Sequence, residues 1–137
     1  GEILAKRRTL GVRWAYSHLV IYSAIAAVGA GLHVVAYYLE HHSELDEFGT
    51  VLTVAIPLGI FVLAIYAQFH LLLPGRDLVH VWLVLGTIVA IVAAIGLASI
   101  TDSIAWPVLL LTIAPWITVL GYELHGNAHT RRVLEKL

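Results

Sequence analysis

Long apolar runs separated by short polar breaks make up most of this chain. The first run extends from about Trp14 to Tyr38, the second from Gly49 to Leu73, the third from Leu78 to Ile100 and the fourth from Ile104 to Tyr122. Each is about 19–25 residues, enough to cross a hydrocarbon core of roughly 30 Å as a helix rising about 1.5 Å per residue. Between them lie the polar segment Glu40–Glu47, the turn Pro74-Gly75-Arg76-Asp77 and the break Thr101-Asp102-Ser103. Connections this short force neighbouring helices to run antiparallel. The pattern predicts an all-α fold, a single four-helix transmembrane bundle of up-down-up-down topology over residues 1–137.

Composition agrees with that reading and narrows the function. At 60% hydrophobic and 12% charged over 137 residues, the chain has the wrong balance for a water-soluble domain. A net charge of −1 leaves no basic surface for nucleic acid. With no Cys there is no disulfide, thiolate metal site or thiol nucleophile. There is no Gly-rich phosphate loop, no Gly-x-Ser-x-Gly elbow and no intramembrane carboxylate pair, so no catalytic residue is assigned. The chain starts at Gly1 and holds no Met, which reads as a processed or shortened beginning, and nothing near Lys6, Arg7 and Arg8 reads as a cleavable signal.

Charge also sets the orientation. All eight Lys and Arg residues, Lys6, Arg7, Arg8, Arg13, Arg76, Arg131, Arg132 and Lys136, fall on one side of a four-span arrangement. The other side holds Glu40, Glu44, Asp46, Glu47 and Asp102. Basic residues near span ends resist translocation, so both termini are expected in the cytoplasm.

Small residues mark faces suited to close packing. Gly86, Ala90, Ala94 and Ala98 recur every four residues in the third span, and Ala26, Ala27, Gly29, Ala30 and Gly31 form a similar patch in the first. These two faces are expected to meet each other or a partner subunit. Pro57 with Gly59, and Pro115, are expected to interrupt the second and fourth helices, with Thr112 able to satisfy a freed backbone group or simply to pack.

Eight histidines are many for so apolar a chain. His18, His70, His80 and His125 fall one on each span within about two turns of the cytoplasmic boundary. Four imidazoles at one depth could hold a transition metal or haem b; the competing reading makes each an independent interfacial anchor. No cofactor is expected on the second reading. His33 is a costlier placement, about two turns inside the outer boundary, and marks a pathway or a buried partner. The positions His18, Tyr22, Ala26, Gly29, His33 and Tyr37 share one helical face, a polar and small-residue stripe expected to face protein. Tyr66 forms an i,i+4 pair with His70, with Thr53 and Gln68 as further polar groups, and Glu123 either pairs with the inner histidines or reaches cytoplasmic water. The pair His41-His42, beside Glu40 and Glu44, is either a loose metal site or a solvated loop.

Certain segments resemble a known family. Tyr16-Ser17-His18-Leu19-Val20-Ile21 followed by Ala26-Ala27-Val28-Gly29-Ala30-Gly31-Leu32 is similar to the C-terminal region of the bacterial low temperature requirement A family of multi-pass membrane proteins. Val54-Ala55-Ile56-Pro57 with Tyr66 to His70, and His80-Val81-Trp82-Leu83, resemble later spans of the same family, so the likeness covers roughly residues 13 to 125. Members are usually longer, which makes this chain look like a terminal portion or a reduced relative. His33 stands where the family pattern would carry an acidic residue. The resemblance implies an integral protein of the bacterial inner membrane, linked to growth in the cold, and names no chemistry.

Two functions follow as expectations. The first is a non-enzymatic transporter-like or channel-like protein, or a subunit of a larger membrane assembly, with His18, Tyr22, His33, Tyr37, Tyr66 and Glu123 as its polar pathway or buried network and with membrane lipid and further copies or subunits as partners. The alternative is a four-helix membrane cytochrome or metal-binding protein with His18, His70, His80 and His125 as ligands.

Overall fold

The computed structural model of the chain describes residues 8–72, 78–121 and 123, and the side chains of these residues outside 8–10, 71–72 and 78–80. Four α-helices fall on the four apolar runs: α1 (Arg8–Leu39), α2 (Glu47–Leu72), α3 (Leu78–Ala98) and α4 (Ala105–Gly121). No strand occurs among the described residues. The spans Gly11–Leu39, Glu47–His70 and Val81–Ala98 are long and apolar enough to cross a membrane, while α4 is a shorter apolar helix of 17 residues. In these three the most apolar windows are only 22%, 39% and 22% buried within the chain. Their outward faces carry side chains such as Leu19, Ile25, Leu63, Trp82 and Val92, a surface suited to lipid or protein contact rather than to water.

The chain forms two compact units, Gly1–Gly75 and Arg76–Leu137. Each is an antiparallel helical hairpin. In the first, Gly31 meets Thr53 while His18 meets Gln68, so position along α1 falls as position along α2 rises. In the second, Thr87 meets Thr118 and Leu83 meets Gly121.

Within the first hairpin, α1 presents Trp14, Ser17, Ile21, Ala24, Val28, Gly31, Val35 and Tyr38 to α2, all buried or half-buried. Their spacing alternates between three and four residues, the period of two helices packed side by side. Against them lie Thr50, Val51, Val54, Ala55, Leu58 and Val62 of α2. Pro57 does not interrupt α2, which continues to Leu72. Proline nevertheless removes the amide that the Thr53 carbonyl would bond four residues upstream. That carbonyl lies against Gly31 of α1. A Cβ on Gly31 would sit 2.7 Å from the Thr53 carbonyl carbon and 3.0 Å from Val54 Cγ2, so only glycine allows this approach. The Thr53 hydroxyl donates to the Thr50 carbonyl at 2.7 Å and reaches the Gly31 carbonyl at 3.4 Å.

The second hairpin uses the same spacing. Thr87, Ile91, Ala94 and Ala98 of α3 and Ile104, Pro107, Leu111 and Ala114 at and along α4 are buried. Of the small-residue row, Ala94 and Ala98 are buried and Gly86 and Ala90 half-buried. The Thr87 and Thr118 hydroxyls lie 3.0 Å apart across the seam, and Thr87 also donates to the Leu83 carbonyl. Pro115 likewise stays inside a continuous α4, and the Thr112 hydroxyl bonds the Leu109 carbonyl.

Candidate functional site

Two polar constellations lie on α1, one near each end. At the end carrying Arg13, the His18 ring is held from several directions. Its Nδ1 is 2.8 Å from the Trp14 carbonyl oxygen. A carbonyl only accepts, so this bond assigns the proton to Nδ1 and leaves the lone pair on Nε2. The Gln68 amide nitrogen, 3.4 Å from Nε2 and 3.2 Å from Nδ1, supplies a donor from the facing helix. Trp14 packs edge-on to the ring at a centroid separation of 4.3 Å, and Tyr22 tilts over it at 6.1 Å. His18 is thus a half-buried imidazole whose two nitrogens both have protein partners.

The other constellation begins at His33 and leaves the helix at its far end. His33 and Tyr37, one turn apart, have ring centroids 5.1 Å apart. Helix α1 then ends in a tight reversal: the His42 amide donates to the Tyr37 carbonyl and the His41 amide to the Tyr38 carbonyl, each at 3.0 Å. These paired bonds are those of a Schellman turn, with His41 at the left-handed position that glycine usually occupies. His41 has φ 59° accordingly. The turn folds the residue after it back over the helix, and His42 accordingly packs on Tyr37 with ring centroids 6.0 Å apart. His42 Nδ1 lies 3.5 Å from Glu40 Oε2, both side chains being well exposed. His33, Tyr37, His42 and Glu40 therefore form one continuous ladder from span depth to the loop.

Other site candidates are placed as follows. Tyr22, His33 and Tyr37 are exposed, on the side of α1 away from its seam with α2. From Tyr22 on, the stripe Tyr22, Ala26, Gly29, His33 and Tyr37 is therefore off the face that α2 covers, while His18 at its start meets Gln68 of α2. Tyr66 is half-buried, while His70 and Glu123 are exposed. His125 and the side chain of His80 lie outside the described residues. Among the described residues no three His, Cys, Asp or Glu side chains converge as a group able to hold a metal ion.

Two features escape a reading of the sequence. Gln68 stands out there only as one polar residue among several, because its meeting with His18 depends on the rotation of two helices. The Tyr37-to-His42 contact had a signal in its five-residue spacing, but without glycine after the helix that spacing does not announce a Schellman turn.

Among proteins of known family, a family described as bacterial low temperature requirement A protein matches residues 2–115. No curated protein and no solved structure matches the chain.

Proposed function

The chain belongs to the bacterial low temperature requirement A family, and from that premise we propose that it is a non-enzymatic membrane protein of transporter or channel type, acting as a subunit of a larger assembly. The observation that carries this reading is the exposed polar stripe of α1. Tyr22 is 65% and Tyr37 48% exposed, and His33 is exposed between them, on a helix that also turns Leu19, Val20, Ile25 and Leu32 outward. A titratable ring such as His33 at span depth is costly against lipid and functions when it lines water or meets protein. Two hairpins leave little room for an aqueous conduit of their own, so further copies or subunits would complete the wall along this stripe. Both termini would lie in the cytoplasm, with the protein in the bacterial inner membrane.

Reconstitution tests this directly. Sealed liposomes containing the protein should pass protons or small ions faster than empty vesicles, and the protein in mild detergent should run larger than one chain. Flux equal to that of empty vesicles from a monomeric protein would remove the reading.

A further inference from the structure

We propose that the Glu40–His42 pair is an outer proton port, through which His33 exchanges its proton with water on the loop side of the membrane. The inference deepens the transport reading by naming the ion and the route, and it rests on that reading for its purpose and for the water beside Tyr37.

The geometry has three supports. First, the Schellman reversal fixes His42 over Tyr37, so the contact between loop and helix is built by backbone hydrogen bonds rather than by chance apposition of mobile side chains. Second, the left-handed backbone of His41 is an uncommon state for a residue with a Cβ, and it is what turns His42 back toward the span. Third, the ladder places proton-binding groups at its two ends: the Glu40 carboxylate 3.5 Å from the His42 imidazole at the loop, and the His33 imidazole deeper in, with the Tyr37 ring between the two imidazoles. Imidazole is the side chain that changes charge near neutral pH.

The exchange conserves protons at each step. An O–H bond of a hydronium ion in the external water breaks as an N–H bond forms at a lone pair of the neutral His42 ring, leaving water behind, and Glu40 lies 3.5 Å from that ring to offset the resulting cation. Breaking an N–H bond at His42 is matched by making one at His33, with water along the exposed flank of Tyr37 carrying the proton across the intervening distance. The charged surroundings are simple. Besides the ladder, Tyr38 lies on the same helix end, the loop adds His41, Glu44 and Asp46, and Glu47 is the sole titratable residue on the outer half of α2.

The test is proton exchange at the His33 ring, read by nitrogen NMR on the full chain with labelled histidine in lipid nanodiscs. His42→Phe keeps a ring against Tyr37 but cannot titrate, and should slow exchange at His33 about tenfold or more, as loss of a positioned acid–base group does. Glu40→Gln should slow it by a smaller factor. Glu44→Gln, a loop carboxylate off the ladder, should leave it within about twofold, the size of an ordinary surface-charge effect. A His33 rate unchanged in His42→Phe, or slowed equally by Glu44→Gln, overturns the port. An unaltered helical amide spectrum in each variant excludes misfolding as the cause. Slow exchange in His42→Phe from a wild-type protein that passes no ions in vesicles supports the port and removes the transport reading. Vesicle flux combined with His33 exchange indifferent to His42 does the reverse.

Discussion

Glycine and histidine show most clearly how one residue's chemistry answers to its place. Gly29 and Gly31 are two positions apart in the same small-residue patch, yet a Cβ on Gly29 would meet nothing within 4 Å while one on Gly31 would strike the Thr53 carbonyl. Gly31→Ala should therefore destabilise the first hairpin by about 1–3 kcal/mol through overpacking. Gly29→Ala should be neutral or slightly stabilising, because alanine is the better helix former. Thermal unfolding of the two variants in detergent checks the contrast; equal losses would mean the close approach is not what Gly31 is for. His41 carries a different constraint. A left-handed residue with a Cβ costs roughly 1–2 kcal/mol, partly recovered for glycine against its greater freedom in the unfolded chain. His41→Gly should leave stability unchanged or raise it by up to about 1 kcal/mol, whereas the β-branched His41→Val should lower it by about 1–2 kcal/mol and loosen His42 from Tyr37. A valine variant as stable as wild type would contradict the turn.

Helix ends and seams set what each element can do. The Asp46 carboxylate accepts the Gly49 amide at 2.8 Å, an N-cap that starts α2 where the loop ends. Thr50 adds a hydroxyl bond to the Asp46 carbonyl at 2.8 Å. Asp46→Ala should cost about 1 kcal/mol and fray the first turn of α2, while Asp46→Asn should retain most of the cap. Amide hydrogen exchange at Phe48 and Gly49 reads the difference, and equal protection in both variants would refute the capping role. The runs predict the helix positions closely, since a long apolar segment bounded by polar residues has few other ways to satisfy its backbone in lipid. The expected interruptions at Pro57 and Pro115 do not occur: both prolines sit inside continuous helices, since one freed carbonyl costs less than ending an apolar helix whose backbone has few other partners. The polar stripe of α1 meets α2 at His18 but from Tyr22 on does not supply the seam. Ile21, Ala24, Gly31 and Val35 take that place, since shape and close approach decide a seam between two apolar helices more than polarity does.

At the scale of the whole molecule, topology is the property with the widest consequence. The absence of native Cys makes the chain suited to single-cysteine labelling. Thr9→Cys and Asp77→Cys should react with an impermeant maleimide from the cytoplasmic side, and Ser43→Cys and Asp102→Cys from the opposite side. Labelling of residue 77 from the side that labels residue 43 would invert the second hairpin and refute the even number of crossings. The proton port depends on the same outcome for residue 43, because Glu40 and His42 must face the outer solution to load protons there.

Sequence by itself determined that the chain is all-α, that it has four apolar helices joined by short polar segments, and that it belongs in a membrane. These are properties of runs and composition, and each residue contributes to them without knowing its neighbours in space. Only the tertiary structure decided which glycine is indispensable, that His18 bonds Gln68, and that His42 folds back over Tyr37. Those depend on the rotation of one helix against another and on a single left-handed residue, where a step of about 100° per residue moves a side chain from a seam to the outside.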